Sequence, residues 1–213
     1  MTVFCDLDGT LLDVSEKFHR IYSHLLRENG HKPMGKDDYW RLRRGGLKTC
    51  DILSWTGAES LLARYESGFL ERVEHPEWLA FDTIFDGVPG LLRRVRNAGR
   101  VVLVTLRRDP HALAWQLSHT GLAEHLDLVL SGHDPQREAW QVKVGLVREA
   151  LPDCDFSASW FIGDMATDIR AGKALGCRTA AVLTGMGVED SLRLLEPDFI
   201  LAGINDVATT VGL

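Results

Sequence analysis

The chain has 213 residues, 45% of them hydrophobic and 25% charged, with a formal net charge of −6. That length suits one generous domain, or a core domain with a small insert, and the composition supplies an apolar core with no disordered tract. The acidic balance argues against a general nucleic-acid binder, which carries a basic face, and no apolar run reaches the ~18 residues of a membrane span.

The first predicted strand, Thr2–Cys5, runs straight into Asp6 and Asp8. From 14 to 85 the pattern turns helical. Ser15 reads as an N-cap, and Phe18, Ile21, Tyr22, Leu25 and Leu26 follow at helical spacing up to Gly30. A second helix is expected over Lys36–Arg44 and a third through Glu59–Val73, with no strand in this region. Then strands and helices alternate: Val88–Asn97, Val101–Thr105, His111–His119, Leu126–Leu130, Glu138–Ala150, Trp160–Ile162, Thr179–Leu183 and Phe199–Leu201. The strand runs are apolar nearly throughout, as in strands buried on both faces, and the alternation predicts a parallel sheet between helices. The expected architecture is a Rossmann-like α/β core of residues 1–13 and 86–213, with an α-helical cap, 14–85, inserted after the first strand. Cys5, Cys50, Cys154 and Cys177 are scattered and form no CxxC pair, so reduced thiols are expected. With no basic leader before the first strand, a cytoplasmic protein is the expectation.

Ligands of open α/β sheets bind at the carboxyl ends of the strands, so the polar residues there are the ones to weigh. Asp6 and Asp8 follow the first strand and share a side if the chain stays extended. Thr105 closes the second long strand, and Gly163-Asp164 closes Trp160–Ile162, with Asp168 one helical turn further on. Lys143 lies in the Glu138–Ala150 helix. Clustered carboxylates need a cation, and hard oxygen donors favour Mg²⁺, which keeps waters and takes further ligands from phosphate. The residues therefore predict Mg²⁺-dependent phosphoryl transfer with a carboxylate nucleophile.

These residues also resemble a known family. "DLDGT" at Asp6–Thr10, Thr105 in "VVLVT", Lys143, and "GDMATDIRAGKALG" at Gly163–Gly176 are similar, in order, to the four motifs of the haloacid dehalogenase superfamily, and most to its phosphoglycolate phosphatase-like branch. The resemblance implies that Asp6 attacks phosphorus and that Asp8 serves as general acid and then base. It implies Mg²⁺ held by Asp6, the backbone carbonyl of Asp8, Asp164 and Asp168 (directly or through water), with Thr105 and Lys143 on the phosphoryl oxygens. Dehalogenases of the superfamily lack the second aspartate, so Asp8 favours phosphate-ester chemistry. A sugar phosphomutase is the rival enzyme, and a non-catalytic binding protein the rival of another class. A phosphonate hydrolase would need a Schiff-base lysine in the cap, and none of Lys17, Lys32, Lys36 and Lys48 has a supporting context.

In the cap, "RLRRGGLK" gathers Arg41, Arg43, Arg44 and Lys48 around two glycines. Two readings stay open: a solvated helix end, or a mobile loop reaching over the site so that Arg43 and Arg44 clamp an anionic leaving group. Arg107, just past Thr105, is a similar candidate. Asp13 reads as a hinge or helix-capping residue rather than part of the chemistry. The expected partner is a small anionic phosphate monoester, with no nucleic acid and no membrane, and the protein itself is expected to be a monomer or homodimer.

Overall fold

The computed structural model describes residues 1–210. Its central strand is β1 (Thr2–Cys5), and every other core strand is placed relative to it. Parallel partners β4 (Arg100–Thr105) and β6 (Trp160–Gly163) flank it, with Cys5 opposite Leu103 on one side and Ile162 on the other. Beyond them lie β5 (Leu128–Ser131), β7 (Arg178–Val182) and β8 (Phe199–Leu201), giving the order β5-β4-β1-β6-β7-β8. The chain reverses its direction of winding about β1, so the carboxyl ends of β1, β4 and β6 form the crevice where such sheets bind ligands.

Alternation along β1 explains the layers. Val3 and Cys5 face a cluster containing Leu91, Val95, Leu117 and Val207, from helices α6 (Val88–Ala98), α7 (Pro110–His119) and α11 (Asn205–Thr210). Phe4 faces the opposite cluster, with Val147 of α8 (Ala139–Ala150) and Leu175 of α9 (Ala166–Leu175). A strand buried on both sides needs apolar residues at every position, and β1, β4 and β6 supply them up to the residues of the crevice. The fold is the expected α/β architecture, a parallel sheet with helices on both faces.

Between β1 and α6 the chain forms α1 (Ser15–Glu28), α2 (Lys36–Arg44), α3 (Thr49–Ser54), α4 (Leu62–Arg72) and α5 (Pro76–Leu79). Tyr22 stacks on Tyr39 with centroids 4.5 Å apart, tying α1 to α2. A Cβ on Gly68 would lie 2.7 Å from Leu25 Cδ2, so the glycine lets α4 approach α1 closely. The two chain crossings are joined by an antiparallel pair, β2 (Leu12–Asp13) with β3 (Thr83–Ile84).

Three local features differ from the sequence reading. The short strand Thr83–Ile84 lies where no strand was expected; two residues, one of them exposed, carry no readable alternation. Helices α3 and α5, six and four residues long, were likewise too short to show a period. Ser15 begins α1, but its hydroxyl caps nothing: the Ser15 backbone N–H donates to Asp13 Oδ1 at 2.8 Å, so Asp13 does the capping at the hinge. The described cysteines are all free thiols. Among the described residues, no helix is long and apolar enough to cross a membrane.

Candidate active site

The three strand ends bring the expected residues together. Asp6 leaves β1 still tied to the sheet, its N–H donating to the Ile162 carbonyl at 2.9 Å. The chain then turns at Gly9, which sits at φ +83°, a region that favours glycine. A Cβ there would also stand 2.7 Å from Asp164 Oδ2, so two strand-end loops touch at this residue. Asp164 follows β6, and Asp168 lies in the first turn of α9, where its Oδ2 accepts the Met165 N–H at 3.0 Å.

One carboxylate oxygen from each of Asp6, Asp164 and Asp168 falls within 4.8 Å of the others, and all three residues are buried. Like charges so close, away from water, disfavour ionisation. Burial, reinforced by Asp168, raises the Asp6 carboxyl to about 7, although Lys143 opposes it. Burial and the charges of Asp6 and Asp168 push Asp164 well above its ordinary value. A set of hard oxygen donors with uncompensated negative charge fits Mg²⁺. Lys143 supplies part of the compensation: its ammonium reaches Asp6 Oδ1 at 2.5 Å and Asp168 Oδ1 at 2.6 Å. With Oδ1 on Lys143 and Oδ2 on Met165, Asp168 already has both oxygens engaged, while Asp164 takes donors from Thr10 (3.1 Å) and the Met186 N–H (2.9 Å).

Asp8 does not join this group. Its side chain turns to the other side of the loop, where Arg107 donates from Nε to Oδ2 at 2.7 Å and from Nη2 to Oδ1 at 2.6 Å. Lys17 Nζ stands 3.6 Å from Oδ1. Burial alone would raise the Asp8 carboxyl, but the Arg107 and Lys17 charges outweigh it and hold the group at about 2. Asp6 and Asp8, two residues apart, thus sit in opposite electrostatic settings, one among carboxylates and the other between two cations.

A cavity of about 290 Å³ opens over both aspartates. Thr105 and Lys143 line it on the core side; Phe18, Val73 and Met186 lie among its apolar walls. Arg107 borders it but is committed to Asp8 and, at 3.2 Å, to Gln116 Oε1, so it does not stand free as an anion clamp. Nor are Arg43 and Arg44 brought to the carboxylates. Arg44 donates to the Leu183 carbonyl, and Arg43 reaches Thr49 Oγ1 (3.3 Å) and Met186 Sδ (3.8 Å), so both face the loop after β7.

The sequence reading weighed Lys17 only as a Schiff-base lysine and set it aside, and it passed over Asp82 and Gln116. Lys17 and Asp82 form a wholly buried ion pair at 2.6 Å, and Gln116 Nε2 donates to the same Asp82 oxygen at 2.6 Å. One signal was present: Lys17 is four residues before Ile21, which puts a lysine on the apolar stripe of α1.

A six-stranded parallel sheet with acidic loops after two adjacent strands, β1 and β6, and helices inserted after the first strand, is the frame of the haloacid dehalogenase-like hydrolases. The chain belongs to that family, whose pattern matches residues 3–182. Among curated relatives, the pyrophosphatase PpaX of Bacillus velezensis is 26% identical over 218 residues, covering 99% of this chain and 96% of its own. A phosphoglycolate phosphatase of Rhodobacter capsulatus is 26% identical over 176 residues, covering 80% of this chain and 78% of its own. Among solved structures, a haloacid dehalogenase-like family hydrolase from Streptococcus pneumoniae superposes with a TM-score of 0.75 at 18% identity, covering 98% and 97% of the two chains.

Proposed function

We propose that this hydrolase is a Mg²⁺-dependent phosphatase acting on a small anionic phosphate monoester through an aspartyl-phosphate. The observation that carries the reading is the division of labour between Asp6 and Asp8. Asp6 sits in the carboxylate cluster with Lys143, whereas Asp8 lines the same cavity but is held apart by Arg107. Asp6, Asp164 and Asp168, with the Asp8 backbone carbonyl, would hold the ion. When bound, Mg²⁺ neutralises the carboxylates and offsets charge on the phosphoryl oxygens.

In the first step an Asp6 oxygen bonds to phosphorus as the ester P–O bond breaks, and Asp8 delivers a proton to the departing alkoxide. In the second, Asp8 takes a proton from water as its oxygen bonds to phosphorus, and the Asp6–phosphorus bond breaks to release phosphate. Lys143 and Thr105 neutralise and orient the phosphoryl oxygens from the core side of the cavity. Met186 and Phe18 narrow the other side, which suits a small ester. The relatives' names suggest the first esters and anhydrides to try. A phosphate-release screen over phosphoglycolate, sugar phosphates and pyrophosphate, with Mg²⁺ or EDTA, tests the reading on the wild type and Asp6→Asn. Release that needs Mg²⁺ and is lost in the variant supports it; equal activity in both proteins overturns the mechanism, and isomer formation without free phosphate indicates a mutase.

A further inference from the structure

Behind Asp8 lies a buried network that the two-aspartate chemistry does not itself require. Asp82 holds Lys17 directly, with Lys17 Nζ 2.6 Å from Asp82 Oδ2, while Arg107 Nη2 passes 3.7 Å from the same oxygen. Gln116 ties the two ends together, donating to Asp82 while accepting from Arg107. The side chains of Lys17 and Asp82 have no exposed surface. Two cations therefore stand between two carboxylates, one lining the cavity and one behind it. A buried charge group of this kind is costly unless its geometry serves something.

We propose that Asp82 is a positioning residue for Asp8: by holding Lys17 away, it leaves the Asp8 carboxylate to the Arg107 fork alone and so fixes that carboxylate for proton transfer to the leaving group. The distances support the division. Lys17 is an ångström closer to Asp82 than to Asp8, at 2.6 against 3.6 Å, although Asp8 is the carboxylate at the cavity. If Asp82 were neutral, nothing else named in the network would draw Lys17 away from Asp8. Placement also matters. Lys17 rides on α1, just after the chain leaves the core, and Asp82 precedes β3, just before it returns. Arg107 and Gln116 belong to the core, so the setting of Asp8 depends on both crossing segments being seated. The orphan Asp82 Oδ1, buried without a hydrogen-bond partner, fits a residue kept for its charge rather than for full satisfaction.

This inference rests on the phosphatase reading, and its test separates the two. The variant Asp82→Asn keeps the shape and removes the charge; Lys17→Met removes the cation that Asp82 holds. Two substrates are compared: 4-nitrophenyl phosphate, whose leaving group needs no proton, and an alkyl phosphate, whose leaving group does. For Asp82→Asn, kcat/KM for the alkyl ester is expected to fall about tenfold or more beyond the fall for the aryl ester, within the ~10²–10⁴-fold reach of general acid catalysis. The double variant Asp8→Asn/Asp82→Asn is expected to be no slower on the alkyl ester than Asp8→Asn alone, because Asp82 acts only through Asp8. Equal losses on both esters, or none, overturn the proposal and leave a structural role. A crystal structure of Asp82→Asn decides independently of turnover: Lys17 moving onto Asp8 is expected, and Lys17 and Arg107 left in place overturn the proposal. A wild type silent towards every phosphate ester would overturn the phosphatase reading, while the crystallographic comparison would still decide the role of Asp82.

Discussion

Arg107 grips Asp8 with two guanidinium donors, at 2.7 and 2.6 Å, so the aspartate proposed to exchange protons is held as an anion at about 2. A carboxylate held that low is a weak base and gives a scarce acid, so both proposed proton transfers need the fork to loosen. A planar fork and a point charge differ here, because only the fork fixes both oxygens at once. Arg107→Lys is therefore expected to keep the local charge yet lower kcat for alkyl phosphates by about tenfold or more, toward the ~10²–10⁴-fold loss expected of Asp8→Asn. Phosphate release measured in parallel for both variants checks this, and full activity in Arg107→Lys would show that fork geometry is not what places Asp8.

The carboxylate cluster makes a prediction about stability. Asp6 stands at about 7 in the fold against an ordinary 3.8, so its contribution favours folding below the ordinary value and is lost as pH rises through 7. Asp164 is shifted in the same direction. Asp8, lowered to about 2, works oppositely and loses its contribution only as pH falls through that value. In EDTA, Asp6→Asn is expected to melt a few degrees above the wild type near pH 8, with the gap closing toward about pH 5. Saturating Mg²⁺ should reverse the order, because it stabilises the folded state that binds it. Melting curves at both pH values, with and without Mg²⁺, read this directly; a variant that melts below the wild type in EDTA near pH 8 refutes it.

How much of this was legible in the sequence follows from where each residue sits. Asp6, Thr105 and Asp164 end apolar runs, so the topology of a parallel sheet was enough to gather them. Lys143 and Asp168 came from the order of motifs. The network behind Asp8 was not legible in the same way. Lys17, Asp82, Arg107 and Gln116 belong to separate segments, and only packing brings them into contact. The cap arginines illustrate a different limit. A basic stretch beside two glycines announces an exposed loop, but not which neighbour it meets. In the fold it meets a backbone carbonyl and a thioether of the loop after β7 rather than the cavity floor. The two-residue strand at Thr83 was too short to carry any period.

Gly185 is the tightest glycine against the Asp164 carboxylate itself. A Cβ there would lie 1.9 Å from Asp164 Oδ2, closer than any real contact, so the carboxylate or the loop must move. Gly185→Ala is expected to weaken Mg²⁺ by about 10–100-fold, the usual scale for disturbing the groups that orient a metal ligand. The Mg²⁺ concentration for half-maximal activity, together with calorimetric titration, measures it. Unchanged affinity would mean that Asp164 tolerates displacement or does not hold the ion.

The last prediction concerns the seam between cap and core. Arg44 bonds to the Leu183 carbonyl and Arg43 touches Met186, while the same loop donates the Met186 N–H to Asp164 and the Thr184 hydroxyl to the Gly9 carbonyl at 2.6 Å. The cap is thereby fastened to the loop that steadies Asp164 and the turn carrying Asp8. A latch of this kind acts on every substrate alike, since it closes the site rather than contacting the leaving group. A direct clamp would instead favour esters with an anionic leaving group. Arg44→Ala is expected to raise KM for phosphoglycolate and for 4-nitrophenyl phosphate by similar factors, about three- to tenfold, the scale of one ordinary exposed hydrogen bond. If the loss falls on phosphoglycolate alone, Arg44 reaches the leaving group during turnover, and the latch is not its main task.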